Sequence, residues 1–255
     1  MAKSLEGKTA LVTGASRGIG RAIAQRLAQD GATVALTYNA SKSGADEVVA
    51  AIAKAGGTAF AVHADLVAPA TVSAMFATLD DELTQRTGRK TLDILVNNAG
   101  NTGWLGFKDA TPDSWDTLFA VYARAPFFIV QAAMDRLADG GCIINISSAA
   151  ATKPVTAAPV YSMAKAAINN LTQALASELG PRGITVNAVA PGPTRTDANA
   201  AFRENPEFVK AFEADTALGR FGEPTEIAAV VAFLTSSDGR WVTGQIIEAS
   251  GGYKL

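Results

Sequence analysis

The chain of 255 residues has one cysteine and one histidine. A lone cysteine excludes an internal disulfide, which suits a reducing compartment. Cys142 follows Gly141 at the head of the apolar run CIINIS, and it reads as a small buried hydrophobe rather than a nucleophile. With His63 as the only imidazole, neither a histidine-rich metal site nor a Ser-His-Asp triad is readily built, so no metal is expected and His63 reads as structural. An excess of one charge is missing too: the formal net charge of −2 gives no general attraction to nucleic acid or an anionic membrane. No apolar run reaches the roughly 18–20 residues needed to span a bilayer. The nearest, FAVYARAPFFIVQAAM, is broken by Arg124 and Pro126. The opening MAKSLEGKTALVTGAS lacks the apolar core and cleavage site of a secretory signal. These absences point to a soluble cytoplasmic protein with no nucleic-acid or membrane partner.

What is present is a core: 48% of the residues are hydrophobic, too many for a disordered chain. Short β-branched runs alternate with longer stretches of helical period. The expected strands are residues 9–13, 33–37, 59–63, 93–97, 142–147, 184–190 and 245–249. Glycines at 31, 56–57 and 180 stop the intervening helices, and Pro224 suits the first turn of a late one. Such alternation implies right-handed βαβ crossovers and a parallel sheet covered on both faces, an α/β doubly wound, Rossmann-type fold. Residues 1–255 read as a single domain, with no linker, repeat or low-complexity segment. The longest departure is residues 193–217, where Phe202, Phe208, Val209 and Phe212 recur partly at helical spacing. This stretch is either a surface helix pair or a lid over a site; its place just after a strand's C-terminal end favours the lid.

Residues 10–32, ALVTGASRGIGRAIAQRLAQDGA, form a strand, a glycine-rich turn and an amphipathic helix. Gly14, Gly18 and Gly20 remove side chains where backbone must approach a diphosphate or pack on the sheet, and Ser16, Arg17 and Ile19 complete the turn. The helix N-terminus beyond offers free N–H groups and the positive end of a dipole. The spacing differs from the usual G-x-G-x-x-G, and an unliganded βα turn is the alternative. An acidic residue at the end of the second strand would accept from a free ribose 2′-hydroxyl and repel a 2′-phosphate. Here Tyr38 and Asn39 stand in that place, Ser41 and Lys42 follow, and Arg17 lies in the loop. Cations and hydroxyls without a nearby acid suit NADP(H) over NAD(H).

In YSMAK, Tyr161 and Lys165 are four positions apart and share a helix face. A free phenol, with a pKa of about 10, is a poor proton donor or acceptor near neutrality. A cation beside it favours the phenolate and lowers that value. The pair is either an ordinary solvated contact or an acid with its tuner, and only an enclosed site makes it the second.

With TGASRGIG (13–20), NNAG (97–100), a serine thirteen residues before YSMAK, and PGPTRT (191–196), the chain resembles the short-chain dehydrogenase/reductase family from its first strand to its end. The resemblance implies about seven parallel strands in the order 3-2-1-4-5-6-7. It implies that Asp65 holds the adenine amino group with Leu66 beside it. Asn98, Ala99 and Gly100 would line the adenosine ribose, with Asn97 bracing the central strands. Pro191, Gly192, Thr194 and Thr196 would form the nicotinamide end. Tyr161 would donate the proton in carbonyl reduction, Ser148 would hold the substrate oxygen, and Lys165 would bind the nicotinamide ribose and lower the tyrosine pKa. Ser147 is expected to face elsewhere.

Tyr122 departs from the family, which usually has an asparagine there in a proton relay through its backbone carbonyl. Pro126 has no N–H to offer the carbonyl four residues earlier, so the relay is expected to survive through the Tyr122 main chain. The reading that follows is an NADPH-dependent ketoreductase acting on a small-molecule carbonyl, with an NADP-binding sensor or scaffold as the alternative. Epimerisation or dehydration is less favoured, because family members of that kind generally carry a longer chain. Trp104, Val155, Thr156 and Phe202 are the expected pocket walls. The resemblance also implies a homo-oligomer, a dimer or tetramer, joined through the helices near 113–138 and 160–179 and the C-terminal GGYKL.

Overall fold

A computed structural model describes residues 4–68, 70–100 and 103–255. Its seven strands are β1 (Thr9–Val12), β2 (Thr33–Tyr38), β3 (Thr58–His63), β4 (Leu92–Asn97), β5 (Leu137–Ile146), β6 (Thr185–Pro191) and β7 (Ile246–Ala249). All pair in parallel, in the order β3-β2-β1-β4-β5-β6-β7, the expected doubly wound arrangement. Between them lie α1 (Gly18–Gln29), α2 (Lys42–Lys54), α3 (Thr71–Thr87), α4 (Pro112–Phe119), α5 (Ala125–Ala133), α6 (Pro159–Leu179), α7 (Ala200–Arg203), α8 (Pro206–Ala214) and α9 (Pro224–Thr235).

The two-residue period of the strands divides the core into two layers. Val12, Leu36, Ile94, Val96 and Ile144 face Ile23 and Leu27 of α1 and Val231 and Leu234 of α9. Their neighbours Leu11, Leu95, Ile143 and Val186 face Met75, Leu79 and Leu83 of α3 and Ile129 of α5. Each fully buried aliphatic side chain contributes roughly 1.5–3 kcal/mol, so the central strands are the stable frame on which the loops sit. One boundary differs from expectation by more than one residue. Strand β5 starts at Leu137 rather than 142, because Leu137 pairs with Leu92 before the register shifts and resumes at Cys142. The Asp139-Gly140-Gly141 stretch forms that irregularity, and Gly140 adopts φ +73°. Cys142 itself is buried. Among the described residues no helix is long and apolar enough to cross a membrane.

Candidate active site

The C-terminal ends of β1 to β6 and the loops leaving them surround a cleft of about 570 Å³. Sheets of this type gather ligands there, at the switch between β1 and β4. The glycine loop is moulded onto the end of β4. Gly14 has φ +65°, and a Cβ on it would fall 2.6 Å from Ala99 Cα. A Cβ on Gly20 would stand 2.6 Å from the Gly14 oxygen and collide with the Asn98 amide. The Asn98 amide donates to the carbonyls of Thr13 at 2.9 Å and Gly14 at 3.1 Å. Thr13 Oγ1 in turn accepts from the N–H groups of Asn98 and Ala99, at 2.9 and 3.0 Å. Asn98 lines the cleft, as expected, but its side chain is spent on bracing the loop. Behind it, the Asn97 amide donates to Asn145 and that of Asn145 to Thr172, each at 2.9 Å, tying β4, β5 and α6 together.

Helix α1 opens onto the cleft with no side-chain cap from any described residue and no acidic residue in its first turn. Its first N–H groups therefore suit a diphosphate. Arg17, Tyr38, Asn39, Ser41, Asp65 and Leu66 line the same end. Asp65 accepts from the Asn39 amide at 3.3 Å and the Val67 N–H at 3.1 Å. Ser41 caps α2, accepting from the Gly44 N–H. Lys42 is not among the lining residues; its ammonium reaches Asp46 at 2.7 and 3.0 Å on the exposed face of α2. The helical i,i+4 spacing gives it that partner. With Arg17 and Ser41 present and no acid at the end of β2, the donor set fits a dinucleotide carrying a 2′-phosphate.

At the other end, Ser148, Tyr161, Lys165 and Tyr122 come together, as expected. Ser148 leaves β5 in extended backbone, and its hydroxyl accepts from the Ala150 N–H at 3.1 Å. Ser147 turns into α6, donating to Asn169 at 2.6 Å. Pro159 opens α6, whose 21 residues carry Tyr161 and Lys165 on one face. Lys165 is buried, and its ammonium donates to the Ile146 carbonyl at 2.6 Å. It lies 4.3 Å from the centre of the Tyr122 ring and 5.8 Å from that of Tyr161. The two tyrosine rings meet edge to face at 5.2 Å.

Burial raises the Tyr161 phenol above its ordinary value, while the Ser148 side chain pulls the other way. Burial also lowers Lys165 to about 7. The expectation that Lys165 lowers the phenol is thus not met by these side chains alone: desolvation outweighs a cation that is itself losing its proton. An oxidised nicotinamide ring would supply a fixed positive charge that a lysine near neutrality does not.

Tyr122 lies in a π-helical turn, Ala120–Arg124, between α4 and α5, in which the Ala125 N–H donates to the Ala120 carbonyl. Pro126 fits this turn, since it demands no N–H there. The remaining walls are aromatic. Trp104, Val155 and Phe202 line the cleft as expected, while Thr156 does not. Phe208, Phe212, Phe221 and Tyr253 also line it and were not foreseen as walls. The i,i+4 spacing of Phe208 and Phe212 in the stretch expected to form a lid is the signal that points to them. These rings form one chain: Trp104–Phe202 at 6.1 Å, Phe202–Phe208 at 5.7 Å, Phe208–Phe212 at 4.5 Å, and Phe212 stacked on Tyr253 at 5.8 Å. The segment carrying α7 and α8 is tied down at both ends, by Arg195 to Gly222 (2.9 Å) and by Leu218 to Gly251 (3.0 Å).

The family model described as enoyl-(acyl carrier protein) reductase matches residues 14–254. An uncharacterised oxidoreductase of Methylorubrum extorquens is 45% identical over 251 residues, covering 98% of this chain and 99% of that protein. A hydroxynaphthalene reductase-like protein, Arp2 of Metarhizium majus, is 41% identical over 262 residues, covering 98% and 96%. The crystal structure of the angucycline C-6 ketoreductase LanV with bound NADP superposes with a TM-score of 0.95 at 47% identity, covering 99% of this chain and 97% of that one.

Proposed function

The chain belongs to the short-chain dehydrogenase/reductase family, and from that premise we propose that it is an NADPH-dependent ketoreductase, converting a carbonyl to a secondary alcohol. The observation that carries the reading is the convergence of Ser148, Tyr161 and Lys165 at one end of a cleft whose other end is the glycine loop. When bound, the reduced nicotinamide would supply the hydride. Tyr161 gives its proton to the carbonyl oxygen, which Ser148 orients by hydrogen bonding. Lys165, when charged, favours the phenolate that Tyr161 leaves behind. Tyr122 stays in the proton relay through its main chain. Gly14 to Gly20, Asn98 to Gly100, Asp65 and the 191–196 turn hold the dinucleotide, and Arg17 and Ser41 hold its 2′-phosphate. Relatives named as reductases and the intact trio speak against a non-catalytic sensor.

The substrate we infer is an uncharged ketone with fused aromatic rings. The ring-lined walls support this, as do relatives named for hydroxynaphthalene and angucycline reduction. Among the described residues, the charged side chains lining the cleft are Arg17 and Asp65 at the adenosine end and Lys165 at the catalytic end. The lid residues that line the cleft carry no charge, so an acidic substrate would meet no cation on that wall. Residues 193–217 act as the lid of a single-domain protein. A cytoplasmic homo-oligomer completes the reading. Trp115, Phe127, Phe128 and Met163 stand exposed on α4, α5 and α6, where a second copy would cover them. Light scattering should return two or four chains; a monomer would remove the assembly.

The test of the function is a panel of fused-ring, monocyclic and aliphatic ketones assayed with NADPH and NADH. Turnover with NADPH, fastest on fused rings, is expected. Cofactor binding without consumption across the panel would overturn the assignment.

A further inference from the structure

The ring of Tyr122 stands against two partners at once. Its face lies 4.3 Å from the Lys165 ammonium and its plane meets Tyr161 at 83°. Its tip reaches Gly100 across the cleft: a Cβ there would fall 2.7 Å from Tyr122 Oη and 2.8 Å from Cζ. Gly100 has ordinary backbone, so room for this ring is what its missing side chain provides. Around the ammonium, β5 contributes the Ile146 carbonyl, α6 contributes Tyr161, and the π turn contributes Tyr122. Among the described residues no carboxylate pairs with Lys165, and the titratable groups facing it are the two tyrosines.

We propose that the Tyr122 side chain is a positioning residue for Lys165: its π face holds the ammonium beside Tyr161 and favours the charged form, and Gly100 is kept bare to admit it. This rests on the ketoreductase reading and goes beyond the main-chain relay, because it assigns the work to the ring. A desolvated cation over an aromatic face is stabilised enough to matter by about one pH unit. The ring favours the ammonium, and the ammonium favours the Tyr161 phenolate, so removing the ring raises the pH at which Tyr161 ionises.

Tyr122→Phe keeps the face, and Tyr122→Met fills the space without one. In the oxidation direction, where the phenolate is the base, Tyr122→Phe should hold the pH limb in place. Tyr122→Met should move that limb up by about one unit, with KM for NADP changed less than kcat. Gly100→Ala, which pushes on the ring from the other side, should shift the limb the same way. The ionisation is also read without turnover, by difference absorbance of the phenolate against Tyr161→Phe in each background. A wild-type protein that turns over no ketone would sink the ketoreductase reading while this titration still decides the ring's role. Equal midpoints in the Phe and Met variants would overturn the proposal, even if Tyr122→Met melted earlier, since lost packing alone leaves the midpoint unmoved.

Discussion

The two ends of the cleft are built differently. At the glycine loop, Thr13, Gly14 and Asn98 are locked by backbone and amide bonds of 2.9–3.1 Å between adjacent strand ends. At the lid, Trp104, Phe202, Phe212, Phe221 and Tyr253 come from distant parts of the chain and meet through ring contacts of about 6 Å. Helix α7 spans four residues and buries none of them. A shared cofactor can be recognised by a rigid, local device. A substrate is recognised by side chains that packing has to assemble, and that a few substitutions can reshape.

The largest expected effect lies where the two ends meet. Tyr161→Phe should lower kcat by about 100-fold or more, with the NADPH dissociation constant within about threefold; retained turnover would remove the phenol from the chemistry. Next comes the rigid end. Arg17→Ala should cut the preference for NADPH over NADH by about tenfold, the loss of one charge-assisted contact. Lys42→Ala, with its ammonium on Asp46, should change it by less than about twofold. The reverse ranking in paired kcat/KM measurements would relocate the 2′-phosphate. The lid should respond more gently: Phe202→Ala should raise KM for a fused-ring ketone about three- to tenfold and leave a small aliphatic ketone unaffected. A uniform rise for both would make Phe202 a packing residue only.

The smallest effect is on stability. Lys165 is held down to about 7 by burial, against an ordinary 10.5. Across that window the unfolded chain binds the proton that the native chain has released, so stability of the cofactor-free protein rises with pH. Melting curves of Lys165→Met should lack this part of the slope; identical slopes would mean the lysine keeps its proton.

The fold was legible because strands such as β1, β4 and β6 are short apolar runs between turn signals, and the period of a strand needs no tertiary knowledge. The cofactor end was legible for the same reason, since TGASRGIG and NNAG are contiguous in the chain. The Lys42 ion pair was not legible, because proximity in sequence to Ser41 says nothing about an acidic partner one turn later. Thr156 misled through its closeness to the catalytic helix. Tyr253 and Phe221 could not have been found, because what brings them to Phe212 is the pairing of Thr216 with Tyr253 and of Thr194 with Gly222. The Tyr161 phenol shows a different limit: spacing identifies the pair, while the sign of the shift depends on how dry the site is.

The most direct test follows the hydride and the proton together. With NADPH deuterated at C4 of the nicotinamide and a fused-ring ketone, a single turnover of the wild-type protein should leave deuterium on the carbinol carbon. Tyr161→Phe, loaded with the same cofactor, should leave none on that timescale. Equal labelling in both would contradict the account, as would an alcohol formed without label.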